Sequence, residues 1–232
     1  INNVNMIKSQ AFRNCTELVN VDLTMVNDTI ESNAFLDCSK LEFVKLSENL
    51  KYVGERAFAN TKLLSDFNNS ENNYLIVNNY LLATNTIDED HVNIPNNVTG
   101  IASYSLNIGD TLPNCTELVL PMSLKYLSSR ALCPNNNSKL QTLCIPSVQE
   151  VESSDWLRTT SNQTVILENL ELGKDVVAIG SDYLYNAFTY NIYSNNITIN
   201  KDNNTYKMYN NAIISYNGEV LYRYFNKLQT NN

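Results

Sequence analysis

The chain has 232 residues, with 16 Lys+Arg against 24 Asp+Glu, a net charge of −8 and only 17% charged residues. No run of Lys and Arg is long enough to neutralise a row of phosphates, which argues against nucleic acid as a partner. No uninterrupted apolar stretch approaches the about 18 residues of a membrane-spanning helix.

The 43% hydrophobic fraction suffices for a core. The five Cys are odd in number and lack C-x-x-C spacing, so neither a disulfide framework nor a zinc site is signalled. Asn2-Asn3-Val4…Ile7 reads like Asn96-Asn97-Val98…Ile101, inside a later repeat. The chain thus opens mid-repeat without a polar cap, and the expectation is a fragment of a longer protein.

From Ile7 onward one pattern returns. Ala11-Phe12, Ala34-Phe35 and Ala57-Phe58 are 23 residues apart each time. A short alternating pair also recurs: Val21/Leu23, Val44/Leu46, Val92/Ile94, Leu118/Leu120, Leu143/Ile145, Leu170/Leu172 and Ile197/Ile199. Alternation puts both members of a pair on one face of a strand. The residue between them faces the other way: Asp22, Lys45, Asn93, Val119, Cys144, Glu171 and Thr198. The Ala-Phe slot drifts later to Ser105-Leu106, Ala131-Leu132, Asp155-Trp156 and Tyr183-Leu184; Asp155 and Tyr183 break the small-residue rule, so those two turns are expected to be distorted. Asn114–Leu118 repeats Asn14–Leu18 letter for letter, yet Leu118 stands early for its strand role, leaving the register there open.

One such unit cannot bury its apolar face alone. Stacked units can, each strand pairing with the next at about 4.8 Å. Each turn then buries some five apolar side chains at ~1.5–3 kcal/mol apiece before entropy is subtracted. The apolar residues do not hold helical spacing over ten residues, and Asn-rich turns interrupt every run.

The pattern Cys-x-x-Leu-x-x-Val-x-Leu followed by Ile-x-x-x-Ala-Phe resembles the BspA-like leucine-rich-repeat family. Cys38-x-x-Leu41-x-x-Val44-x-Leu46…Val53-x-x-x-Ala57-Phe58 is a nearly complete copy, and the resemblance covers about 1–200, strongest in 7–64. It implies an α/β to mainly β fold, a right-handed leucine-rich-repeat solenoid with a parallel sheet on one side and short strands or helical turns on the other. It further implies a non-catalytic cell-surface or secreted protein that adheres to host, matrix or cell-surface proteins. A structural spacer, or a repeat segment attached to a functional domain outside this chain, is the alternative.

Two inserts depart from the repeat. Tyr74–Ala83 and Tyr206–Ser215 share their spacing, and each reads as two strands around an Asn-Asn turn, because Asn tolerates positive φ. Asn217-Gly218 adds a further hairpin turn before Val220–Phe225. The expectation is one solenoid over 1–232, with a hairpin insert at about 70–90 and a C-terminal three-stranded meander at about 204–226. Asn107–Pro113 reads as a loop insertion.

Candidate sites are few. Cys15, Cys38 and Thr61 share one position and read as an internal ladder; a disulfide between neighbouring turns is a geometric alternative. His91, the single His, is the required base of any Cys–His or Ser–His pair, but stands beside Asp88-Glu89-Asp90 as an exposed loop residue would. The acidic trio lacks the spacing and Gly of a calcium loop. Glycosylation sequons occur at Asn14, Asn27, Asn68, Asn97, Asn114, Asn136, Asn162, Asn196 and Asn203. Tyr183, Tyr185, Phe188, Tyr190 and Tyr193 crowd one region, and Tyr206, Tyr209, Tyr216, Tyr222, Tyr224 and Phe225 another; they read as sheet packing or as a binding patch. Nothing calls for a cofactor, a metal or an enzyme. A variable face on a regular scaffold is how repeat proteins bind, so the expected partner face is Asp22, Lys45, Asn93, Val119, Glu171 and Thr198, on a monomer with a protein partner.

Overall fold

The computed structural model describes residues 4–153, 155–159, 165–177, 192–210, 212–219 and 221–224. The alternating pairs form strands. In the first turns β1 (Asn20–Leu23) and β3 (Phe43–Leu46) lie parallel, and on the opposite side β2 (Thr29–Ile30) pairs with β4 (Tyr52–Val53). Leu23, Ile30, Leu46 and Val53 point inward and are buried.

Eight non-glycine residues at the corners adopt left-handed backbone. Gln10, Asn33, Arg56, Tyr104 and Arg130 each immediately precede the small residue of the slot, and Asn14, Asp37 and Asn60 follow its Phe by two. Asn and Asp tolerate this conformation; Gln, Arg and Tyr do so at a cost of about 1–2 kcal/mol. The turn-to-turn bonds Phe12 N–H to Ala34 O at 2.8 Å and Phe35 N–H to Ala57 O at 2.7 Å hold it in place. The slot rings stack, Phe12 on Phe35 at 4.9 Å between centroids and Phe35 on Phe58 at 5.3 Å.

The third turn breaks the pattern. Phe67, 23 residues after Val44, is buried as that position requires, but it sits on helix α1 (Lys62–Asn68), capped by Thr61. A hairpin follows, β5 (Tyr74–Val77) and β6 (Tyr80–Thr84), closed by Asn78 and Asn79 at φ 46° and 66°. The two-strand insert expected at 70–90 is thus present, and β6 also does repeat work by pairing in parallel with β8 (Gly100–Ile101).

Beyond it two parallel sheets run side by side. β7 (His91–Asn93), β9 (Glu117–Val119), β11 (Thr142–Val148), β13 (Val165–Val176) and β14 (Ile192–Ile199) form one. The other continues from β6 and β8 to β10 (Tyr126–Leu127) and β12 (Glu150–Val151). Leu118 lies opposite both Val92 and Leu143, which resolves the register left open by the sequence. β15 (Tyr206–Tyr209), β16 (Ala212–Ser215) and β17 (Leu221–Tyr224) make the antiparallel three-stranded meander.

Three expectations differ from the structure. The slot expected at Asp155-Trp156 lies one residue later. Leu132 bridges Leu157, and its N–H donates to Trp156 O at 2.9 Å, so Trp156 fills the small position. One residue more separates Val151 from Leu157 than separates their partners Leu127 and Leu132, which moves the slot by one. Ala11 and Cys15 are exposed rather than inward, because no described turn packs on the outer side of the first. The ladder expected to run unbroken is divided: β1–β3 and β2–β4 make no strand pairs with the later sheets, and the buried residues fall into two clusters.

Candidate interaction face

The strands set each outward side chain. Asn93, Val119, Cys144, Glu171 and Thr198 are Cα partners in succession across β7, β9, β11, β13 and β14, a five-residue column. Asp22 and Lys45 are partners as well, but on the separate β1–β3 sheet, with α1 and the hairpin between the two groups. The seven residues therefore form two columns.

A second column runs beside the longer one and is absent from the sequence reading: His91, Glu117, Thr142, Asn169 and Asn196. It is linked sideways. His91 Nδ1 lies 2.8 Å from Glu117, Asn169 donates to Thr142 Oγ1 at 3.1 Å, and Asn196 donates to Asn169 at 3.3 Å. Across these ten positions stand two carboxylates and no Lys or Arg. On the first sheet the matching column is Asn20 and Phe43, and Phe43 is 61% exposed, with exposed Val19 and Met25 nearby in sequence. An outward Phe in a strand scored only for its inward residues gives a sequence signal that alternation does not rank.

Local electrostatics follow from these contacts. The Asp22 carboxyl is held below its ordinary value by the Thr24 hydroxyl and backbone N–H, with Lys45 adding to them. The Cys144 thiol is pushed up to about 12, by burial first and then by its contact with Glu171, so it stays a thiol at neutral pH. His91 faces Glu117 and, at 3.6 Å, Asp90, so the groups its ring nitrogens meet are carboxylates. Asp88 bonds to Asn114. Among the described residues no three His, Cys, Asp or Glu side chains gather as a metal-holding set.

The remaining candidates separate. All five cysteines are free thiols, and Cys38 donates to Phe12 O at 2.9 Å in place of a disulfide. Asn203 is 1% exposed and its amide donates to Gly173 O and Val176 O, which removes it as a glycan acceptor in the folded chain; Asn162 lies outside the described residues. Tyr206 is buried, its hydroxyl donating to Val177 O at 3.0 Å, whereas Tyr209 and Tyr216 are exposed. Tyr183, Tyr185, Phe188, Tyr190 and Phe225 lie outside the described residues, as do the side chains of Tyr193, Tyr222 and Tyr224.

The strands and stacked corners define a mostly-β repeat solenoid with little helix. The chain belongs to the BspA-type leucine-rich-repeat family: the signature described as BspA type Leucine rich repeat region matches in six copies over residues 1–112 and 85–212. None of the curated proteins matches the chain. Among solved structures, a leucine rich cell surface protein from Faecalibacterium prausnitzii A2-165 is similar, at 17% identity and a TM-score of 0.33, over 84% of this chain and 69% of that one.

Proposed function

We propose that the chain, acting as one monomeric module over 1–232, is a non-catalytic, surface-displayed protein that adheres to a protein partner through its outward strand columns. The observation that carries this is the paired column over β7, β9, β11, β13 and β14: ten outward positions with regular spacing, rich in amide, hydroxyl and carboxylate groups and free of Lys and Arg. Such a surface offers acceptors and negative charge, so it favours a partner presenting Lys, Arg and backbone N–H groups. Asp22 and Lys45 flank a second contact region on the first sheet, where exposed Phe43 has the shape of an apolar anchor. Display outside the cell is supported by the family.

The test is binding of the purified chain to a panel of matrix and host-cell-surface proteins, compared with the double variant Glu117→Lys, Glu171→Lys. The expected result is at least one partner whose affinity falls about tenfold or more in the variant. Binding lost only on changing the meander residues Tyr209 and Tyr216 would move the site. A chain that binds nothing on the panel would favour the structural-spacer reading.

A further inference from the structure

We infer that the first turns form a separately cored unit latched by Tyr80 and residues 51–53 onto the outer side of the β6–β8–β10–β12 sheet, able to open there without unfolding. This latch is distinct from the outward columns above and does not depend on what they bind.

The sheet has two sides. Leu81, Ile101, Leu127 and Val151 point into the larger core, while Tyr80, Gly100, Tyr126 and Glu150, in register with one another, point away from it. On an ordinary solenoid the outward row meets solvent. Here Tyr80 and, two residues after Gly100, Ala102 belong instead to the smaller core built by the first turns.

The contacts across the seam are specific. Tyr80 is 1% exposed, and its hydroxyl donates to Lys51 O at 3.0 Å while lying 3.1 Å from Ser128 Oγ. Ser128 Oγ accepts Val53 N–H at 3.0 Å, and Ser103 N–H donates to Val53 O at 3.0 Å. At the rim Lys51 Nζ meets Glu150 at 2.7 Å and the Tyr52 ring meets Tyr126 edge-on at 6.3 Å.

The ladder bonds differ in kind. Within each unit backbone pairs run strand to strand, as Gly54 N–H to Ile30 O and Leu120 N–H to Cys144 O do. Between β4 and the later turns the bonds are few, one of them backbone to backbone (Ser103 to Val53) and the others using side chains, and no strand pair joins them. Breaking this small set opens the smaller core where Tyr80 and Ala102 close it, while the larger core and the ladders within each unit stay intact, which is how sub-global opening differs from global unfolding.

Residue-resolved amide exchange by NMR tests this on the full chain. The seam amides Val53 and Ser103 should exchange faster than the ladder amides Gly54 and Leu120. Tyr80→Phe, which removes one hydroxyl and keeps the ring, should accelerate the seam amides about fivefold to tenfold and leave the ladder amides unchanged. Glu150→Gln should shift the same seam amides in the same direction by a smaller factor, being half-exposed. Equal exchange at seam and ladder amides, or equal acceleration of both sets by either variant, means one cooperative unit and overturns the latch. Seam amides unmoved by both variants overturn it too.

Discussion

The ring of Tyr80 lies directly over Gly100: a Cβ built on Gly100 would stand 2.2 Å from Tyr80 Cε2. The glycine is needed for close approach, since the neighbouring ring is buried and bonded at its hydroxyl end and so cannot swing away. Gly100→Ala should therefore destabilise the chain by about 3 kcal/mol, as overpacked cores do. Urea unfolding would measure this. The penalty of Gly100→Ala should shrink markedly when tested in a Tyr80→Ala background, because the clash partner is then gone.

The stacked slot rings predict an asymmetry. Phe35 is sandwiched between Phe12 and Phe58 and fully buried, whereas among the described residues Phe12 has a stacked ring on one side only. Phe35→Ala should cost about 3–5 kcal/mol in unfolding free energy. Phe12→Ala should cost clearly less, roughly half of that, because less contact and less buried area are lost. Equal losses would mean that the rings do not stack in solution.

Much of this was legible in the chain itself. Val44/Leu46 and Leu143/Ile145 alternate over short runs between turn residues, and the strands fall on them because period-two burial is a local property. The Asn78-Asn79 hairpin was equally legible, since positive φ favours Asn. The left-handed corners at Gln10, Arg56, Tyr104 and Arg130 were not, because these residue types carry no turn signal; Tyr104 and Arg130 are held there by N–H bonds to Arg130 O and Asp155 O of the next turn. Nor was the second outward column, since His91, Glu117, Thr142, Asn169 and Asn196 are of mixed type and only strand register brings them into line. The seam was least legible: Tyr80 and Ser128 are 48 residues apart, and nothing local to either says that they meet.

Two carboxylates near the seam predict opposite responses to pH. The Glu152 carboxyl is pushed up, chiefly by burial, with Asp155 and Glu31 adding to it against a hydrogen bond from Ser129 N–H. Its raised folded value means that the stability tied to this group is full below the unfolded carboxyl range and is lost as pH rises through the folded value. Asp155 runs the other way. Burial raises it, but bonds from Ser129 and Ser153 together with Arg130 outweigh this and hold it low. Its contribution is present above the unfolded value and is lost as pH falls through the folded one. At pH near neutrality Glu152→Gln should raise the melting temperature and Asp155→Asn should lower it. In acid, below both carboxyl ranges, each difference should fade. Thermal melts of the two variants across pH check both signs.

On the function proposed above, the paired column on β7, β9, β11, β13 and β14 meets a partner as an acceptor-rich, negatively charged surface. The most direct measurement is the affinity of the full chain for a protein partner found on the surface-protein panel, read at low and at physiological ionic strength, for the unaltered chain and for Glu117→Lys, Glu171→Lys. Salt should weaken binding by the unaltered chain, as screening requires, and the double variant should bind at least tenfold more weakly at both ionic strengths. An affinity indifferent to salt and unchanged in the double variant would contradict it.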